Sequence, residues 1–202
     1  MNKKFNIKNK GFTLVETLVA IAILSLAITG PMVIAQKGVS SSIYARDEVT
    51  AFYLAQEAVE YVRNVRDTNR IAGYGSDWLP EFTAANCIDA GGGQRCQING
   101  IEDFDVPSRE SEAISECNTL PQQSGVDTCQ PISFDSTKNL YGYSEVDTSG
   151  DTWTPTEYTR TVDIKKEPSN SNEAVVTVSV SWQTNIFTPI ESFTVSEHIF
   201  AF

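Results

Sequence analysis

The segment Lys10-Gly11-Phe12-Thr13-Leu14-Val15-Glu16-Thr17-Leu18-Val19-Ala20 decides how the rest of the chain is read. It opens a stretch, residues 11–36, in which Glu16 is the only ionisable side chain. About 20 apolar residues in a helix cross the hydrocarbon of a bilayer, so the stretch is long enough to span one. Lys3, Lys4, Lys8 and Lys10 lie on its N-terminal side, with no acid among them. By the positive-inside rule that end stays cytoplasmic and the remainder of the chain lies outside. A secretory signal peptide does not account for the pattern. Its apolar core runs ~7–15 residues and closes on a small-x-small site, and this stretch is longer and lacks the site. A plain anchor accounts for the length but leaves Glu16 unexplained. At the centre of a span a carboxylate costs about 2.5–3.5 kcal/mol, so it calls for a partner or a function even near the cytoplasmic end.

The short basic leader, the glycine, the phenylalanine that follows and the glutamate at its fixed distance resemble the N-terminal motif of type IV prepilins and type II secretion pseudopilins. The resemblance implies cleavage by a membrane-embedded prepilin peptidase between Gly11 and Phe12. It implies N-methylation of the new amine on Phe12 by the same enzyme. It also implies that Glu16 pairs with the Phe12 ammonium of a neighbouring subunit during assembly. A charge buried in the membrane is costly unless it is paired, and a complementary pair favours one docking register. Gly30-Pro31 matches the place where helices of this family bend or locally melt; proline removes a helical hydrogen bond. A plain reading of the same pair ends one helix before another begins.

Past the apolar stretch, residues 39–67 read as an amphipathic helix. Phe52, Leu54, Ala55, Ala58, Tyr61, Val62 and Val65 recur at spacings of three and four, with Glu57, Glu60, Arg63, Arg66 and Asp67 elsewhere. Ser40-Ser41-Ser42 is a weak point in propensity. A helix from Phe12 to about Thr68 would be about 85 Å long. The run 51–63 is similar to minor pilins and minor pseudopilins.

Residues 70–157 read as loop-rich, interrupted by Gly73, Gly75, Gly91-Gly92-Gly93, Pro107, Pro121, Pro131 and Gly142. The glycine triplet lacks the Lys-Ser/Thr of a phosphate loop and reads as a turn. All four cysteines, Cys87, Cys96, Cys117 and Cys129, fall here. No Cys-x-x-Cys pair is present, which argues against a zinc ribbon or a thioredoxin-like site. Their placement outside the cytoplasm favours two disulfides. Of three possible connectivities, Cys87–Cys96 with Cys117–Cys129 closes the shortest loops, but the sequence leaves the choice open.

The last part alternates strictly. Val176, Val178, Val180 and Trp182 are interleaved with Thr177, Ser179, Ser181 and Gln183, the pattern of a half-buried strand. Residues 158–166 and 191–200 read as its neighbours, with 167–173 as a polar loop, giving a three-stranded antiparallel meander. The expected fold is therefore α+β. A long N-terminal helix, transmembrane and then amphipathic, packs on a C-terminal antiparallel sheet, with a disulfide-braced loop region between. The corresponding divisions are a leader at 1–11, an apolar assembly helix at 12–36, an amphipathic helix at 37–69, the cysteine region at 70–157 and the strands at 158–202.

Composition restricts the function. Across 202 residues, 15 Lys and Arg face 26 Asp and Glu, a net charge of −11, so no nucleic-acid partner is expected. Loss of the leader removes four of those cations and no acid, leaving a still more acidic chain. One histidine, His198, excludes a multi-histidine metal site and reads as a surface or structural residue. No Gly-x-Ser-x-Gly element is present. Glu102-Asp103-Phe104-Asp105 and the pair Asp147 and Asp151 could bind calcium, but they match no EF-hand pattern and read as solvated loops. No enzyme activity, cofactor or metal is expected. The resemblance implies a minor pilin or pseudopilin of a pilus-like filament, or of a secretion or DNA-uptake pseudopilus. Its partners would be the membrane, prepilin peptidase, an inner-membrane assembly platform and other pilin or pseudopilin subunits. The alternative is a pilin-anchored adhesion or substrate-binding module displayed outside the cell.

Overall fold

The computed structural model describes residues 11–73, 75, 77–89, 95–100, 113–117, 129–143, 153–184 and 188–201. The chain divides into two units, Met1–Asp47 and Glu48–Phe202. Helix α1, Leu14–Ala72, begins in the first and ends in the second.

In the first unit the described chain, apart from the non-helical residues 11–13, is α1 alone. The helix continues through Gly30-Pro31 and through Ser40-Ser41-Ser42, so neither sequence ends it. Pro31 has no N–H to give the carbonyl of Ala27, so one helical bond is absent there. The helix nevertheless runs on to either side of it. The apolar side chains, among them Leu18, Ile21, Leu24 and Ile28, are exposed. Hydroxyls in the stretch turn onto the helix itself: Thr17 donates to the Leu14 carbonyl, Ser25 to that of Ile21 and Thr29 to that of Leu26, at 2.8–3.0 Å. Such bonding lets Ser and Thr sit in hydrocarbon without an unsatisfied donor. α1 is long and apolar enough to cross a membrane.

The second unit is the head. Ala51, Leu54, Ala55, Ala58, Val62 and Val65 of α1 are buried. The small alanines let the helix approach a sheet closely, and each fully buried valine or leucine contributes about 1.5–3 kcal/mol. The helix ends later than its amphipathic pattern suggests. Asn69, the last residue of the expected helix, is buried, its amide donates to the Glu81 carboxylate at 2.8 Å, and the helix runs on to Ala72. The stop is Gly73, whose φ of +82° takes the left-handed conformation that closes a helix, with its N–H on the Arg70 carbonyl.

An eight-stranded sheet forms the rest. After the short helix α2 (Pro80–Ala84) come β1 (Ile88–Asp89), β2 (Cys96–Ile98), β3 (Ile114–Glu116), β4 (Pro131–Asp135), β5 (Leu140–Gly142), β6 (Trp153–Glu167), β7 (Asn170–Trp182) and β8 (Glu191–Phe200). All pairings are antiparallel except β1 with β6. β6 lies at the centre. It pairs with β7 along one side, and along the other with β4, β2 and β1 in turn. The meander β6–β7–β8 is as expected from the alternation, but it is part of a wider sheet. The region read as loop-rich carries α2, β1–β5 and the start of β6. The strands β1–β5 are too short, and too dependent on pairing with β6, to leave a period of their own. The expected polar loop at 167–173 contracts to a turn at Pro168-Ser169, with β6 reaching Glu167 and β7 starting at Asn170.

The inner row of the sheet is Tyr158, Arg160, Val162 and Ile164 on β6 and Ala174, Val176, Val178, Val180 and Trp182 on β7, all buried. Disulfides join Cys87 to Cys96 and Cys117 to Cys129. The first ties the segment after α2 to β2, and the second ties the end of β3 to the start of β4.

Candidate functional site

The sequence places its chemistry at the N-terminus. Residues 11–13 are non-helical and exposed, and α1 starts at Leu14. Thr13 caps the helix: its Oγ1 accepts the Glu16 N–H at 3.3 Å, and its carbonyl accepts the Thr17 N–H at 3.2 Å. Thr13 and Glu16 stand at the spacing of a capping box. The Glu16 carboxylate nevertheless makes no hydrogen bond or ion pair among the described residues. It lies in the first turn, where the helix dipole favours negative charge. Phe12 is 78% exposed. The peptide bond between Gly11 and Phe12 is therefore outside the helix, one residue ahead of the cap. A protease binds extended backbone, and a helical bond would have to unwind first. Gly30 and Pro31 lie further along the same helix and are exposed.

Within the head the buried polar centre is Arg160, which is 1% exposed. Its Nη1 donates to the Leu54 carbonyl at 2.9 Å and to Glu57 Oε2 at 3.1 Å, and its Nη2 donates to the Ile98 carbonyl at 2.6 Å. One guanidinium thus joins α1, β2 and β6, in the planar multi-donor geometry that a lysine cannot reproduce. Gly100 adjoins it: a Cβ there would lie 2.6 Å from Glu57 Oε1. Asn99 continues the network, its amide donating to the Tyr143 carbonyl at 3.0 Å. Burial pushes the Tyr143 phenol up from its ordinary value of 10, and the positive charge of Arg160 opposes that shift. The alternation Tyr158, Arg160, Val162, Ile164 was the available signal for Arg160, since parity alone puts it in the buried row.

At the other flank of α1, Arg63 donates to Glu197 of β8 at 2.5 and 2.6 Å and to Glu60 at 2.9 Å. The Glu197 hydrogen bond, followed by that of Glu60, raises the Arg63 pKa further above its ordinary range. His198 is exposed and its Nδ1 lies 2.7 Å from Glu173 Oε1, a surface pair between β8 and β7. Among the described residues no three His, Cys, Asp or Glu side chains cluster as metal ligands. The acidic groups at Glu102-Asp103-Phe104-Asp105 and at Asp147 and Asp151, and the triplet Gly91-Gly92-Gly93, lie outside the described residues, as does the leader before Gly11.

Comparison with known families gives one match, the prokaryotic N-terminal methylation motif, over residues 6–30. No curated protein and no solved structure matches the chain. Among the described residues, the match takes in the exposed, non-helical segment 11–13, with its threonine cap, and the first part of the apolar stretch of α1, to Gly30.

Proposed function

We propose, from the premise that residues 6–30 are the prepilin-type signal of type IV pilins and pseudopilins, that this chain is the precursor of a minor pilin or pseudopilin. The signal belongs to structural rather than enzymatic proteins, and it implies processing by prepilin peptidase and assembly with other pilin subunits. In this reading the peptidase cuts between Gly11 and Phe12 and methylates the Phe12 amine. The apolar part of α1 holds the protein in the cytoplasmic membrane, with the basic leader inside and the head outside. Extraction by an inner-membrane assembly platform then carries the subunit into an extracytoplasmic filament.

The observation that carries the reading is the exposed carboxylate of Glu16, set in the first turn of an apolar helix a few residues from the amine that cleavage would create. In hydrocarbon neither charge is tolerated alone. A neighbour's Phe12 ammonium satisfies Glu16, and each subunit offers one of each charge, so the contact repeats head to tail. Heterologous contacts of that kind build open helical filaments. Two disulfides brace the head where reducing thiols are absent.

Gly11→Ala, expressed beside the peptidase, tests the reading. The wild-type chain should lose its leader and gain one methyl group by mass spectrometry, and the variant should remain full length. Equal processing of both, or a wild-type chain that keeps its leader, would sink the proposal.

A further inference from the structure

We propose that the edge of β8 left without a partner strand among the described residues accepts an added β-strand from another protein, an extended segment with alternating apolar side chains between two cations. The inference stands on the head and does not depend on the filament reading. β8 is matched to β7 over ten register pairs without a bulge, and it pairs with no other strand among the described residues. A strand with one neighbour leaves alternate backbone N–H and C=O groups facing outward, which is a template for pairing. Such edges are ordinarily blunted by proline, lysine, a bulge or short length. β8 has none of these: its sequence is Glu191-Ser-Phe-Thr-Val-Ser-Glu-His-Ile-Phe200. Its one centrally placed acid, Glu197, shares Arg63 with Glu60, so that end of the edge keeps a net negative charge that disfavours an acidic neighbour and favours a cationic one.

The chemistry of the partner follows from the row Glu191, Phe193, Val195, Glu197 on one side of β8. Phe193 and Val195 are partly buried against the core. The Phe52 ring meets Phe193 edge to face at 5.6 Å and is still 38% exposed, so apolar surface remains accessible beside Phe193. Two side chains spaced two residues apart on an added strand would lie beside Phe193 and Val195. Acids flank them. Glu191 stands at one end. At the other, a single Arg63 is shared by Glu60 and Glu197, leaving that cluster net negative. On the opposite side Ser192, Thr194 and Ser196 offer small hydroxyls with no bulk to obstruct pairing. A second copy is the poorer occupant. Two β8 edges meeting antiparallel about Thr194 would set Glu191 of each against Glu197 of the other, and like charges directly opposite are unfavourable.

The probe is the peptide Lys-Thr-Val-Thr-Val-Thr-Lys, which presents the same row in either direction. It is added to the full chain in detergent micelles, with affinity read by fluorescence anisotropy and backbone protection by hydrogen exchange. The expected result is saturable binding with slowed exchange across 191–200. Binding should weaken at least tenfold when glutamates replace the peptide's lysines, and severalfold in Glu191→Gln. N-methylation of alternate peptide amides, tried on each alternation in turn, should abolish binding for at least one set, because it blocks the ladder and keeps the side chains. No binding overturns the proposal. So does equal binding of both N-methylated sets, which would make the contact a side-chain patch. So does peptide-free protection of β8 that rises with protein concentration, which would give the edge to a second copy.

Discussion

Arg160 is where a single residue matters most to the head. It is fully buried, and it satisfies a helix carbonyl, a strand carbonyl and the Glu57 carboxylate at once. Removing it leaves the Ile98 carbonyl buried without that donor and loosens Glu57, at about 1–3 kcal/mol for an abandoned buried group. Arg160→Met, similar in volume, should therefore cost roughly 2–4 kcal/mol in chemical denaturation, whereas Glu57→Gln should cost only about 1 kcal/mol because Glu57 is partly exposed. Equal costs would show that the guanidinium acts mainly through the ion pair. Tyr143 makes a second prediction, in pH. Its folded pKa lies above its unfolded value near 10, so folding holds the phenol's proton more tightly. That contribution is fully present below pH 10 and is lost as pH rises through the folded pKa. Tyr143→Phe should be near neutral at pH 7 and should flatten the alkaline loss of stability, measured as denaturation midpoints from pH 8 upward.

Among the elements, the short strands β1–β5 depend most on outside support. Each is two to five residues long, and isolated strands of that size are not stable. They are held by pairing to β6, directly or through β2 and β4, and by the two disulfides. Closing loops with sequence separations of 9 and 12 restricts the unfolded chain by about 2.5–3 kcal/mol per bridge in the chain-entropy account. Cys117→Ser with Cys129→Ser should lower the melting temperature of the head while leaving β6–β8 formed, as read by hydrogen exchange confined to β2–β4. Exchange that spreads evenly across β6–β8 would contradict this division. The cysteine pattern, with the outside placement that the basic leader leads one to expect, was enough to expect two bridges. The strands they support could not be read, because a three-residue strand carries no period and owes its state to a partner far away in sequence.

For the whole molecule, the apolar and polar parts answer to different surroundings. The helix of the first unit exposes its apolar side chains, and the head buries a core of its own. The filament proposal makes a prediction at this scale. Glu16→Ala should leave processing and head stability unchanged, since the carboxylate has no partner among the described residues of the single chain, and should reduce recovery in sheared filaments at least tenfold. Normal recovery would dismiss the charge-pairing account of assembly.

The sequence by itself determined the N-terminal signal, the long helix, the β6–β8 meander and the inward row of β7. These rest on local patterns: charge beside an apolar run, spacing of three and four, alternation of two. Only the tertiary structure decided the rest. It carried α1 past Asn69 because a buried amide found Glu81, and it gave Arg160 its three acceptors. It made one sheet of eight strands by lining up segments far apart in sequence along β6. It also left one edge of β8 without a partner strand among the described residues, a property of which strands pair and not of any residue in the strand. Long-range pairing is set by the free energy of the assembled core, and no local period encodes it.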